Sequence, residues 1–121
     1  MAKIIGLGGV FFKSADPKGL AAWYRDTLGL AVQDWGGAMI KPDTDALPYT
    51  IWSPFSADTT YFAPSTGAFM LNFAIDDLDA FCAMLTTKGV EILGRSDDDS
   101  NGKFAWILDP GGNKIELWQP K

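Results

Sequence analysis

Gly102-Lys103-Phe104-Ala105-Trp106-Ile107-Leu108-Asp109-Pro110-Gly111-Gly112-Asn113-Lys114-Ile115-Glu116-Leu117-Trp118-Gln119-Pro120 holds two alternating runs separated by Asp-Pro-Gly-Gly-Asn. Turn-forming residues between alternating runs predict a β-hairpin. Successive side chains of a strand point to opposite faces. Ile115 and Leu117 therefore share one face of the outgoing strand, and Lys114, Glu116 and Trp118 share the other. The first face suits a core. The second sets a carboxylate beside an indole, which a core does not require.

Upstream, the chain reads as two passes through one plan. Lys3 to Ser14 is apolar and Gly-rich and predicts a strand. Asp16-Pro17 offers a helix N-cap followed by proline at the first helical position. Leu20, Trp23, Tyr24 and Leu28 recur at helical spacing, and Gly29 closes the helix. Short strands are expected at Leu30–Asp34, Ala38–Lys41, Tyr49–Ser53 and Thr59–Ala63, with a loop at Pro42–Pro48. The plan then restarts. Phe69–Ile75 predicts a strand, Asp76-Asp77 a cap, and Leu78, Phe81, Cys82 and Leu85 a helical stripe ending at Gly89. Val90–Leu93 predicts another strand, Arg95–Gly102 a polar loop, and the terminal hairpin follows.

The restart keeps a nearly constant offset. Gly9-Val10-Phe11-Phe12 and Asp16 lie 61 positions before Met70-Leu71-Asn72-Phe73 and Asp77. The helix-ending glycines, Gly29 and Gly89, lie 60 apart, and Ile51-Trp52-Ser53-Pro54 precedes Ile107-Leu108-Asp109-Pro110 by 56. This describes a single α+β domain of two tandem βαβββ modules, about residues 1–64 and 65–121. Each curved mixed sheet is expected to bury one face under its own helix and turn the other toward its sister module. Two such sheets enclose a central cavity, the usual place for a ligand.

Composition narrows the chemistry. The chain has no histidine, which removes most metal sites, Ser-His and Cys-His nucleophile pairs and the usual general base. Its single cysteine precludes an internal disulfide framework and suits a reducing cytoplasm. A net charge of −5 argues against nucleic acid as a partner. No apolar run approaches the roughly 20 residues of a membrane span, and no signal-peptide pattern opens the chain.

Several local features have plain explanations. Asp97, Asp99, Asn101 and Gly102 fit the start of a calcium loop, but the twelfth position is Leu108 rather than glutamate, so a turn is expected. Cys82 lies on an apolar helical stripe and reads as a buried, inert thiol. Gly6–Gly9 falls within a strand rather than before a helix, which suits close backbone packing better than phosphate binding.

The cavity-facing positions carry more information. Parity places Phe12 and Phe73 toward the helices, so Gly9, Phe11, Met70 and Asn72 should face the cavity. In the closing strands the equivalents are Glu116 and Trp118, with Thr60 and Phe62 as their counterparts in the first module. An acid, an amide, a hydroxyl and several rings together predict a ligand pocket. Its expected ligand-binding residues are Phe11, Thr60, Phe62, Met70, Asn72, Glu116 and Trp118. Glu116 is also the candidate catalytic acid or base. The alternative is that Glu116 is satisfied by lysine or backbone donors and only closes the fold.

Taken together, these stretches resemble the vicinal-oxygen-chelate superfamily of glyoxalases, bleomycin-resistance proteins and extradiol dioxygenases. The carriers are Asp16-Pro17, Trp23-Tyr24-Arg25-Asp26-Thr27-Leu28-Gly29-Leu30, Phe73-Ala74-Ile75-Asp76-Asp77-Leu78-Asp79-Ala80, Lys88-Gly89-Val90 and Leu108 through Leu117. The resemblance implies a divalent-metal site at Gly9, Thr60, Met70 and Glu116. Only Glu116 is a good ligand, whereas catalytic metals take about three protein ligands. The resemblance thus implies a metal-free member that binds a small aromatic or cationic compound, with no cofactor and a homodimeric assembly. A lyase or isomerase using Glu116, or a degenerate structural module, is the alternative.

Overall fold

A computed structural model describes residues 3, 9–43, 45, 47 and 49–121. Helix α1 spans Pro17–Leu28, with Asp16 as its N-cap accepting a bond from the Gly19 amide at 3.0 Å. Gly29 ends it at φ 78°, where a side chain would be strained. Strand β1 (Leu71–Ala74) leads into α2 (Leu78–Thr87), whose N-cap Asp77 accepts from the Ala80 amide at 3.1 Å. Then come β2 (Gly94–Asp99), β3 (Gly102–Leu108) and β4 (Lys114–Pro120). The second half is therefore a complete βαβββ unit. Its sheet runs β1-β4-β3-β2, with β1 parallel to β4 and the other two pairs antiparallel.

The terminal hairpin forms as its turn residues dictate. Asp109 is buried, and its carboxylate accepts from the Asn113 backbone amide and side-chain amide, each at 2.9 Å. Tyr24 Oη donates to the same carboxylate at 2.8 Å, fixing α1 to the turn. Burial, and then the bond to Asp109, push the Tyr24 phenol well above its ordinary pKa. At the other end of the hairpin, a Cβ on Gly102 would lie 2.1 Å from the Gln119 carbonyl oxygen, and its φ is 122°. Only glycine closes that end.

One face of the sheet holds the core. Ile107, Ile115 and Leu117 are fully buried there with Leu78 and Leu85 of α2, and Leu20 and Tyr24 of α1 complete the cluster. Each fully buried aliphatic contributes about 1.5–3 kcal/mol relative to exposure. Cys82 belongs to this cluster, and burial pushes its thiol pKa up. The helices are also tied end to end: Lys88 Nζ donates to the Asp26 carbonyl at 2.8 Å, placing a cation at the C-terminus of α1. Gln119 Oε1 accepts from the Leu78 amide at 2.8 Å, joining the end of β4 to the start of α2.

Several expectations change. Both helices pack on the same sheet, because Leu20 and Tyr24 find their apolar partners in the second module. The strands expected between residues 30 and 63 are absent among the described residues, apart from one bridge, Val32 with Ala38. Of the strand expected at Lys3–Ser14, residues 4–8 lie outside the described residues and residues 9–14 are not extended into a sheet. Alternation makes a strand only when a neighbour takes its hydrogen bonds, and apart from the Val32–Ala38 bridge these segments have no such partner in the described chain. The described sheet is accordingly one, unclosed, and its far face meets loops rather than a second sheet. Finally, the strand after α2 begins at Gly94 rather than Val90. Arg95 and Asp97, expected in a loop, pair with each other, and Arg95 also reaches Asp79 of α2 at 2.7 Å. The turn shrinks to Ser100-Asn101, as a hairpin rather than a calcium loop.

Candidate functional site

The face of the sheet away from the helices is organised by Glu116. Pairing sets Glu116 between Asn72 on β1 and Trp106 on β3. The carboxylate accepts from Asn72 Nδ2 at 2.7 Å on one oxygen. On the other oxygen it accepts from Trp106 Nε1 at 2.8 Å and from Tyr61 Oη. Glu116 is only 8% exposed, so these donors replace the water it has lost. Three of roughly four acceptor positions of a carboxylate are in use. All three donors are neutral.

Beside the carboxylate runs a row of rings. Phe104 lies opposite Trp118 across the β3–β4 pair and two residues from Trp106 along β3. The planes of Phe104 and Trp106 agree within 9° at a centroid distance of 6.3 Å, and those of Phe104 and Trp118 within 11° at 6.4 Å. Gly94 on β2 borders this row: a Cβ there would lie in ordinary contact with the Trp106 ring, at 3.6 Å. Trp118 Nε1 donates to the Asn101 carbonyl at 2.9 Å, which fixes the indole. Two tyrosines from the segment before β1 reach over the face: Tyr49 packs on Trp118 and Tyr61 stands edge-on to Trp106.

Asn72, Glu116 and Trp118 are thus brought to one surface. Phe62 is near it, in ring contact with Tyr61 and Phe55, while Met70 is half-buried just before β1. Phe11 is not brought there; it is 97% exposed, and Thr60 is exposed too. Phe12, expected toward the helices, instead packs on Phe69 at 5.2 Å. These misplacements share a cause: parity transferred from the second module holds only where a strand forms. The cavity expected between two sheets has no counterpart among the described residues. A cavity of about 150 Å³ lies instead on the helix side, lined by Tyr24, Leu28, Phe73, Phe81 and Leu117 among others.

Sequence reasoning missed Trp106, Phe104 and Tyr61, and it set Lys114 on the face of Glu116 without giving it a role in the site. The first two were legible, because Ala105 and Ile107 mark the core face of β3 and leave Phe104 and Trp106 on the other. Tyr61 was not, since its place depends on how a strandless segment folds back over the sheet.

The metal positions do not fit a metal. Gly9 offers no side chain, Met70 a thioether, and Thr60 an exposed hydroxyl. The Glu116 oxygens are already bonded to Asn72, Trp106 and Tyr61. Among the described residues no three His, Cys, Asp or Glu side chains group to hold an ion. Among them, too, no helix is long and apolar enough to cross a membrane.

Residues 10–117 match the sequence profile of the Glyoxalase/Bleomycin resistance protein/Dioxygenase superfamily. The chain belongs to that superfamily. TnmS3, an antibiotic-binding protein from Streptomyces sp. CB03234, is 28% identical over 89% of this chain and 89% of its own, with a TM-score of 0.56. Lactoylglutathione lyase from Agrobacterium tumefaciens shares the fold at 18% identity over 93% of each chain, with a TM-score of 0.57. A glyoxalase/bleomycin resistance protein from Streptomyces sp. CB03234 is 39% identical, but the match spans 44% of this chain and 46% of that one at a TM-score of 0.39. No curated protein matches the chain.

Proposed function

We propose that this glyoxalase-superfamily protein is a metal-free binding protein that holds a small aromatic compound against the ring-bearing face of its sheet. The observation that carries the reading is the near-parallel row Trp106, Phe104 and Trp118 beside the buried Glu116 carboxylate. Rings in register offer stacking surface, and a few fixed polar groups beside them give orientation, the mixture expected of a small-molecule site. The antibiotic-binding name of TnmS3 is consistent with such a role. Glu116 acts here by holding Tyr61, Trp106 and Asn72 in place. A carboxylate already serving three donors suits that work better than taking a substrate proton.

The functional unit is a homodimer working in the cytoplasm, each chain forming one two-module domain of residues 1–64 and 65–121. Support for pairing comes from the apolar surface of the first module. Trp35, Met39, Ile40, Ile51 and Trp52 are all between 59% and 79% exposed. Soluble monomers seldom leave so much large apolar surface in water.

The test is intrinsic tryptophan fluorescence against a panel of aromatic compounds, antibiotics included. Saturable quenching that is lost in Trp106→Ala supports the reading. A panel without any saturable response contradicts it.

A further inference from the structure

Lys114 follows the hairpin turn and lies on the same face of β4 as Glu116. Its ammonium stands 5.2 Å from the centre of the Tyr61 ring and 5.6 Å from that of Trp106. Those two rings meet at 86° with centroids 6.2 Å apart, so they form a corner, and the ammonium sits against both walls. It donates to the Tyr61 carbonyl at 2.6 Å. The polar edges of the same two rings hold the Glu116 carboxylate. An aromatic corner backed by a carboxylate is the environment a cationic ligand would seek. Here the chain fills that corner with a cation of its own.

We infer that Lys114 sets the charge specificity of the ligand face: by occupying the cation seat between Tyr61 and Trp106, it turns the face toward aromatic acids and against aromatic cations. This rests on the binding role proposed above and adds to it the class of ligand. A cationic compound laid on the ring row must displace the Lys114 ammonium or sit beside a like charge. An acidic compound meets an ammonium with three N–H donors, one of which is used by the Tyr61 carbonyl. Lys114 is half-buried, so its charge is less screened than that of a surface lysine.

The experiment titrates three probes of one shape, 2-naphthoate, 2-naphthylmethanol and 2-naphthylmethylammonium, into the full chain and follows tryptophan fluorescence. The parent should bind the acid about tenfold more tightly than the ammonium, with the alcohol between them. Lys114→Met should erase or reverse that order, and Lys114→Arg, which keeps the charge, should preserve it. Should Lys114→Met fail to fold, Lys114→Gln carries the same comparison. Binding that persists with an unchanged acid-to-ammonium ratio in the neutral variants overturns the role of Lys114 and leaves the ligand face standing. Failure of all three probes to bind the parent overturns both.

Discussion

Tyr24 and Asp109 are 85 residues apart in the chain and bonded side chain to side chain, the phenol donating to the buried carboxylate at 2.8 Å. This bond joins the helix of the first module to the hairpin turn of the second. Tyr24→Phe removes the hydroxyl and little else. It should destabilise the chain by about 1.5–3 kcal/mol, the usual contribution of a hydrogen bond to a charged group. Urea unfolding of the two proteins measures the difference, and matching midpoints would contradict it.

The same bond has a pH signature. The folded chain holds the Tyr24 phenol protonated above its ordinary pKa of 10.0, through burial first and Asp109 second. A raised pKa contributes stability that is complete below pH 10 and is lost as pH rises above it. The parent should therefore lose stability above about pH 10 more steeply than Tyr24→Phe, and the two should run parallel from pH 7 to 9. Thermal melts across that range give the comparison.

Glu116→Gln replaces one acceptor oxygen by an NH2 group. With the NH2 in the Oε1 place Asn72 Nδ2 faces a donor instead of an acceptor, and with it in the Oε2 place Tyr61 Oη and Trp106 Nε1 both do. The expected loss is about 1–3 kcal/mol, seen as a fall of about 4 °C in Tm for each kcal/mol. Melting temperatures that coincide would mean the carboxylate is not needed to hold the rings.

The donor set at Gly9, Thr60, Met70 and Glu116 predicts a chain indifferent to metals. Elemental analysis of purified protein should give well under one zinc, nickel, iron or manganese per chain, and EDTA should leave Tm unchanged. A chelator that both strips about one metal and lowers Tm would refute this.

For the assembly, sedimentation at micromolar concentration should give twice the 13.1 kDa chain mass. Trp52, 79% exposed, lies in the apolar surface proposed to pair. Trp52→Glu places a charge there and should yield the 13.1 kDa species. A parent that sediments as a monomer removes the dimer from the account.

The second module was legible because each of its signals is local. Asp77 caps, Gly89 ends its helix, Asp109 to Asn113 turns, and Ile115 and Leu117 alternate against a core they reach. β2 was misplaced because it is an edge strand: Arg95 and Asp97 are polar, and their extension is set by pairing with β3 and by the ion pair to Asp79. In the first module the helix was legible from Asp16 and Gly29. Its expected strands depend on partners that lie far off in sequence, and alternation alone does not supply them. The site divides in the same way. Asn72, Glu116 and Trp118 follow from strand parity, whereas the reach of Tyr61 to Glu116 and of Lys114 to the Tyr61 ring is tertiary.

The central claim is that an aromatic ligand lies on the ring row of the sheet face away from the helices. The most direct measurement follows the five indole N–H resonances of the chain by 1H–15N NMR during titration with 2-naphthoate, assigned by single Trp→Phe variants. The account predicts saturable shifts at Trp106 and Trp118, while Trp23, packed against Tyr24 beside the helix-side core, stays in place. Shifts confined to the exposed Trp35 and Trp52, or no saturable shift at any indole, would contradict it.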